Sequence, residues 1–212
     1  MIHKCYKVTG PDGKPCHGGS GKWIPGEWRE ANGTEPCQDG MLHVCRNLWQ
    51  VLDWLNVEIW EAEYDDSKLV IDHGDKLAVQ RARVVRKLGV WDERTARLFG
   101  CYCAEDSLPL YERDYPNDKR PRKAIETARL YVEGKASREE LDAAGDAAGD
   151  AARDAAWDAA RAAARAAAGD AAWDAARDAA WDAARAAAGD AAGDAARAVQ
   201  AQKLAALLGV QG

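Results

Sequence analysis

Cysteine and histidine set the first options for chemistry in this chain. Cys37, His43 and Cys45 lie close together, and Cys16-His17 upstream would complete a four-ligand set. Structural zinc is held by two short Cys/His pairs at regular spacing, and this cluster is the one that approaches that pattern. Cys101 and Cys103 form a separate pair. The six cysteines belong to a chain that opens Met1-Ile2-His3-Lys4-Cys5-Tyr6-Lys7, without the apolar stretch of an export signal. In a reducing cytosol such thiols stay free. The expectation is a cytoplasmic protein with buried thiols, no metal and no cofactor; Cys37, His43 and Cys45 are the ligands a metal would take.

Two other chemistries fall short on spacing. Gly18-Gly19-Ser20-Gly21-Lys22 invites comparison with a phosphate-binding loop, but Cys16 stands where that motif needs Gly and Trp23 where it needs Ser or Thr. It reads as a flexible loop. For nucleophilic catalysis no signature sets a cysteine beside any of the four histidines. Asp65-Asp66 and Glu139-Glu140 are adjacent acids that read as solvated. The chain is expected not to be an enzyme. A net charge of -6 and a pI near 5.3 argue against nucleic acid and anionic membranes as partners, and no run of about eighteen apolar residues occurs. An acidic chain of this kind more often meets a protein.

The strongest regularity is a strict period of four. From Ala143 to Ala198 the sequence reads Ala-Ala-x-(Asp or Ala), with x restricted to Gly, Arg or Trp. Those three residues share codons ending in GG, so a repeated four-codon unit would generate this alphabet. Each tetrad advances an α-helix by about 400°, so the alanine stripe drifts about 40° per repeat. One straight helix cannot keep such a stripe against one partner. Packed helices with breaks near Gly169 and Gly189 are therefore preferred to a single rod of roughly 85 Å.

Side chains other than alanine stand out on this background. Asp150, Asp158, Asp174, Asp182 and Asp194 each precede an Arg by three residues, the spacing of a salt-bridged helix face. The sharper reading makes Arg161, Arg165, Arg177 and Arg185 a basic ladder. The opposite one makes the Asp residues a decoy for phosphates, since a four-residue step rises about 6 Å. Trp157, Trp173 and Trp181 either fill gaps between helices or anchor a partner. Their angular spread requires at least one to face away from any single packing surface. The candidate partner-binding residues are Trp157, Trp173, Trp181, Arg161, Arg177 and Arg185.

The elements that position these residues follow from local signals. Leu48, Val51, Leu52 and Leu55 recur at helical spacing and predict a short helix over 46–55. Val57 to Ala62 alternates apolar and polar, Leu69-Val70-Ile71 precedes a turn at His73-Gly74-Asp75, and Val79, Val84 and Val85 favour strand over 76–87. Asp92 is placed to cap a helix that Pro109 should disturb in its last turns. Pro121 marks a first helical residue, Gly134 a helix end, and Ser137 with Glu140 a capping box. The fold class is an α+β N-terminal domain followed by all-α alanine-rich repeats: 1–90 a small α+β domain, 91–136 a helical connector, 137–212 the tetrad-repeat helices.

The stretches Arg97-Leu98-Phe99-Gly100-Cys101-Tyr102-Cys103-Ala104-Glu105, Leu108-Pro109-Leu110-Tyr111-Glu112 and Asp118-Lys119-Arg120-Pro121-Arg122-Lys123-Ala124-Ile125-Glu126 resemble the opening of a bacterial immunity protein family. The resemblance covers roughly 94–200, and Arg-Pro-Arg is its most specific part. It implies an antitoxin-like protein that neutralises a toxin by binding it. Tyr6-Lys7 with Cys37-x-x-Gly40-x-x-His43-x-Cys45 is similar to a domain of phage and bacterial proteins, from which it departs by one extra residue, Met41. The function expected is non-enzymatic binding of immunity type, its partner a toxin or a defence component. The alternatives are a phage-type anti-defence protein, acting as an acidic decoy or by sequestering a nucleotide signal, and a structural helical oligomerisation module that would form a homo-oligomer.

Overall fold

Alternation along the strands decides what the N-terminal part buries. The computed structural model describes residues 1–16, 18–35, 40–155, 164–166, 172–186 and 190–210, which fall into two compact units, Met1–Trp91 and Asp92–Gln211. In the first unit, β1 (Ile2–Thr9), β4 (Glu58–Asp65), β7 (Arg81–Lys87) and β2 (Arg29–Glu30) form one antiparallel sheet in the order β1-β4-β7-β2. A second sheet has the order β3-β6-β5, from Leu42–Val44, Leu77–Val79 and Val70–Asp72. Trp60, Ala62 and Tyr64 on β4 and Ala82 and Val84 on β7 point at period two into a core shared with Leu77, Val79, Val44, Cys5 and Trp23. The other face of the β4–β7 pair is an ionic ladder: Arg83 meets Glu63 and Arg86 meets Glu61 across the strands.

One carboxylate ties this unit together. The buried Glu58 accepts from Thr9 Oγ1 at 3.0 Å, from the backbone N–H groups of Asp12 and Gly13 at 3.2 and 2.9 Å, and from Lys87 Nζ at 2.7 Å. Trp60 Nε1 donates in turn to Thr9 Oγ1 at 3.0 Å. Burial alone would raise the Glu58 pKa, but the bonds from Lys87, Gly13 and Thr9 outweigh it and hold the group below its usual range.

The expected helix over 46–55 is shorter than its apolar spacing suggested. It comprises α1 (Leu48–Val51), capped by the Asn47 side chain, and a 3-10 turn at Leu52–Trp54. Leu55, extended in ψ, enters the core beyond the helix end.

In the second unit α2 (Glu93–Asp114) is central, with α3 (Arg120–Val132), α5 (Ala172–Ala186) and α6 (Asp190–Leu208) packed on it and α4 (Arg138–Ala155) packed on α3. Asp92 caps α2 by accepting from Thr95 N at 2.7 Å. Pro109 does not interrupt α2: its ring is exposed, where water can satisfy the carbonyl it leaves unpaired. Ser137 and Glu140 form the reciprocal capping box. Residues 172–208 are not one rod, because α6 folds back on α5 and the buried Gln200 Nε2 donates to the Ala180 carbonyl at 3.0 Å. Gly169 and Gly189, the expected break points, lie outside the described residues.

The drift of the four-residue period is visible along α5. Its buried alanines are Ala172, Ala175, Ala176, Ala179, Ala180, Ala183 and Ala184. Meanwhile the Asp column turns inward, from exposed Asp174 through half-buried Asp178 to buried Asp182, and the x column turns outward, from half-buried Trp173 to exposed Trp181 and Arg185. Small side chains on both partners let the helices approach closely. A Cβ placed on Gly100 of α2 would lie 3.5 Å from the Ala176 Cα and 3.8 Å from the Ala179 Cβ.

Two outcomes follow from these contacts. Gly100→Ala should be neutral or stabilising by up to about 1 kcal/mol, since the methyl fits and helix propensity improves, whereas Gly100→Leu should lower stability by about 1–3 kcal/mol through overpacking. Urea denaturation of both variants checks this, and equal tolerance of leucine would contradict the close approach. Glu58→Gln should destabilise by about 2 kcal/mol at pH 7. Because the folded pKa of Glu58 is depressed, its contribution is complete above the ordinary glutamate pKa, near 4.3, and fades as pH falls through the lower folded value. Denaturation curves of wild type and variant should therefore converge in acid.

Candidate functional site

The candidate face is set by where the drifting period leaves large side chains uncovered. Trp181 is 48% exposed. Arg185, one turn further along α5, is also exposed, and the Arg197 guanidinium of α6 lies 5.7 Å from the Trp181 ring centroid. Trp173, two turns earlier, is half-buried and its buried Nε1 has no hydrogen-bond partner among the described residues. Arg177 is half-buried and engaged within the helix, 3.3 Å from Asp174 and 3.2 Å from Asp178. Of the sequence candidates on α5, Trp181 and Arg185 thus share an open face, while Trp173 and Arg177 are partly covered. Trp157 and Arg161 lie outside the described residues. Arg165 stands 3.9 Å from both Asp178 and Asp182, so part of the basic ladder is matched by acid. Arg197 was not singled out from sequence, because its approach to Trp181 exists only once α6 folds back.

The Arg-Pro-Arg segment has a structural role that is plain from its partners. Arg122 and Arg129 of α3 form two-pronged bonds to Glu112 and Glu105 of α2. A seven-residue step along α2 is answered by a seven-residue step back along α3, which fixes the register of the hairpin. In the turn, Asp118 accepts from Tyr111 Oη at 2.6 Å and from the Arg120 backbone N–H at 3.0 Å, and it pairs with the Arg120 side chain. The Arg120 bonds are the main reason the Asp118 carboxyl lies well below the usual range. Arg97, 2% exposed, stacks 5.3 Å from the Tyr131 ring centroid and lies 3.7 Å from Glu93.

The thiols are placed for packing. The described cysteines are all free. Burial pushes Cys101 and Cys45 up to about 12 and raises Cys5 and Cys103 as well, which suppresses the thiolate required of a nucleophile or a metal ligand. Cys16 Sγ donates to the Val8 carbonyl at 3.9 Å. Among the described residues no group of three His, Cys, Asp or Glu is arranged to hold a metal; Cys37 and His17 lie outside them. No described helix is long and apolar enough to cross a membrane.

Residues 86–206 match the family described as "Imm-5 like putative immunity protein". The chain belongs to this Imm-5 like family. The match begins in the last residues of β7 and runs into α6, wider at both ends than the 94–200 over which the sequence resemblance was read. It takes in the α2–α3 clamp and every described residue of the Trp181 face. No curated protein and no solved structure matches the chain.

Proposed function

We propose that this Imm-5 like protein neutralises a partner protein by binding and occluding it, without catalysis, and that Trp181 is the central anchor. The observation that carries this reading is a large indole left about half exposed, at 48%, on a helix whose opposite face is tightly buried alanine. Tryptophan and arginine are among the side chains that most often concentrate binding energy at interfaces, and here Arg197 lies 5.7 Å from the ring and exposed Arg185 follows one turn along α5. Family membership supports a protein partner, and the raised thiol pKa values support a non-catalytic role. The expected partner is a toxin or defence component, met in the cytoplasm.

Trp181→Ala should leave the melting temperature nearly unchanged and weaken capture of the proposed partner protein by about thirtyfold, equivalent to about 2 kcal/mol. Trp173→Ala should instead destabilise the fold by about 2 kcal/mol, because that ring is half-buried and its Nε1 fully covered. Melting curves and pull-downs of both variants separate the roles. Unchanged capture by folded Trp181→Ala would refute the anchor.

A further inference from the structure

The N-terminal unit holds a cavity of about 700 Å³, lined by the glycine loop, β1 and β3, within the usual size range for small ligands. Its charges are unbalanced. Among the described lining residues, Lys7, Arg29 and Lys76 stand against one carboxylate, Glu30, which already lies 3.2 Å from Arg81. Lys76 has Asp75 at 3.3 Å. Lys7 and Arg29 have no carboxylate partner among the described residues.

Both of these cations are held on one ring. Lys7 Nζ lies 5.6 Å and Arg29 Cζ 4.8 Å from the Trp23 centroid. Arg29 Nη2 donates to the Ser20 carbonyl at 2.9 Å, whereas its Nη1 is buried with no hydrogen-bond partner among the described residues. His43 Nε2, on the same cavity, is likewise buried with no hydrogen-bond partner among the described residues. A buried guanidinium N–H without an acceptor and half-buried cations without counter-charges are costly, and an anion in the cavity would relieve both.

We propose that this cavity binds a phosphate monoester of up to nucleotide size, with the phosphate held by Lys7 and Arg29 Nη1. A guanidinium fork beside an ammonium suits the several oxygens of a phosphate. The cavity is much larger than the ion alone, and Pro15, Met41 and Leu42 supply apolar lining for an organic part. The loop that fails as a nucleotide-binding motif still serves here, because Gly18 and Gly19, both at positive φ, present backbone without side chains. Desolvation pushes the Lys7 pKa down, and a bound anion would push it back up. The site lies outside the family-matched residues, so it stands apart from the immunity reading.

Equilibrium dialysis of the full chain with adenosine monophosphate, adenosine and inorganic phosphate tests this, alongside Arg29→Gln and Lys7→Met. The nucleotide should bind below about 1 mM, more tightly than inorganic phosphate and far more tightly than adenosine. Each variant should weaken it by about tenfold while circular dichroism stays unchanged. If one variant misfolds, the other carries the comparison. No retention of the nucleotide, equal retention of adenosine or of inorganic phosphate, or unchanged binding in folded variants would overturn the proposal.

Discussion

The structure of the helical unit depends on a mismatch between a sequence period of four and a helix period of 3.6. Alanine at half of the repeat positions allows close helix packing over a broad face, and Gly100 on α2 meets that face without a side chain. The mismatch then rotates the remaining positions around α5. It turns Asp182 into the interior and Trp181 and Arg185 out of it. A repeat of strict heptads would have kept one seam buried and one face uniformly polar. Here the same arithmetic that packs the helix also exposes an indole.

Local chemistry was readable from sequence where a few adjacent residues decide the outcome. The Asp92 cap and the Ser137–Glu140 box needed no tertiary information. The β4 alternation was likewise plain, because a half-buried strand writes its period directly. The end of α1 was not, since Leu52 and Leu55 keep helical spacing while the backbone serves the core in another conformation. Pro109 misled for a related reason, as its cost depends on whether the face it occupies is wet.

The functional groups were legible to different degrees. Trp181 and Arg185 stood out as large or charged residues among alanines, but Arg197 joined them only through the return of α6. The Arg-Pro-Arg segment signalled the family, while its Arg122, together with Arg129 further along α3, is occupied in holding the α2–α3 register. In the N-terminal unit, Lys7 and Arg29 are far apart in sequence and meet over Trp23 through the folding of β1 and the glycine loop. Pattern reading has no period or spacing with which to find such a pair.

The central claim is that the outward-turned face of α5 is where a protein partner binds. Hydrogen–deuterium exchange of the full chain, alone and saturated with the proposed partner protein, measures this directly. The account predicts added protection in peptides carrying Trp181, Arg185 and Arg197. Protection confined to residues 1–91, or none in α5 and α6, would contradict it.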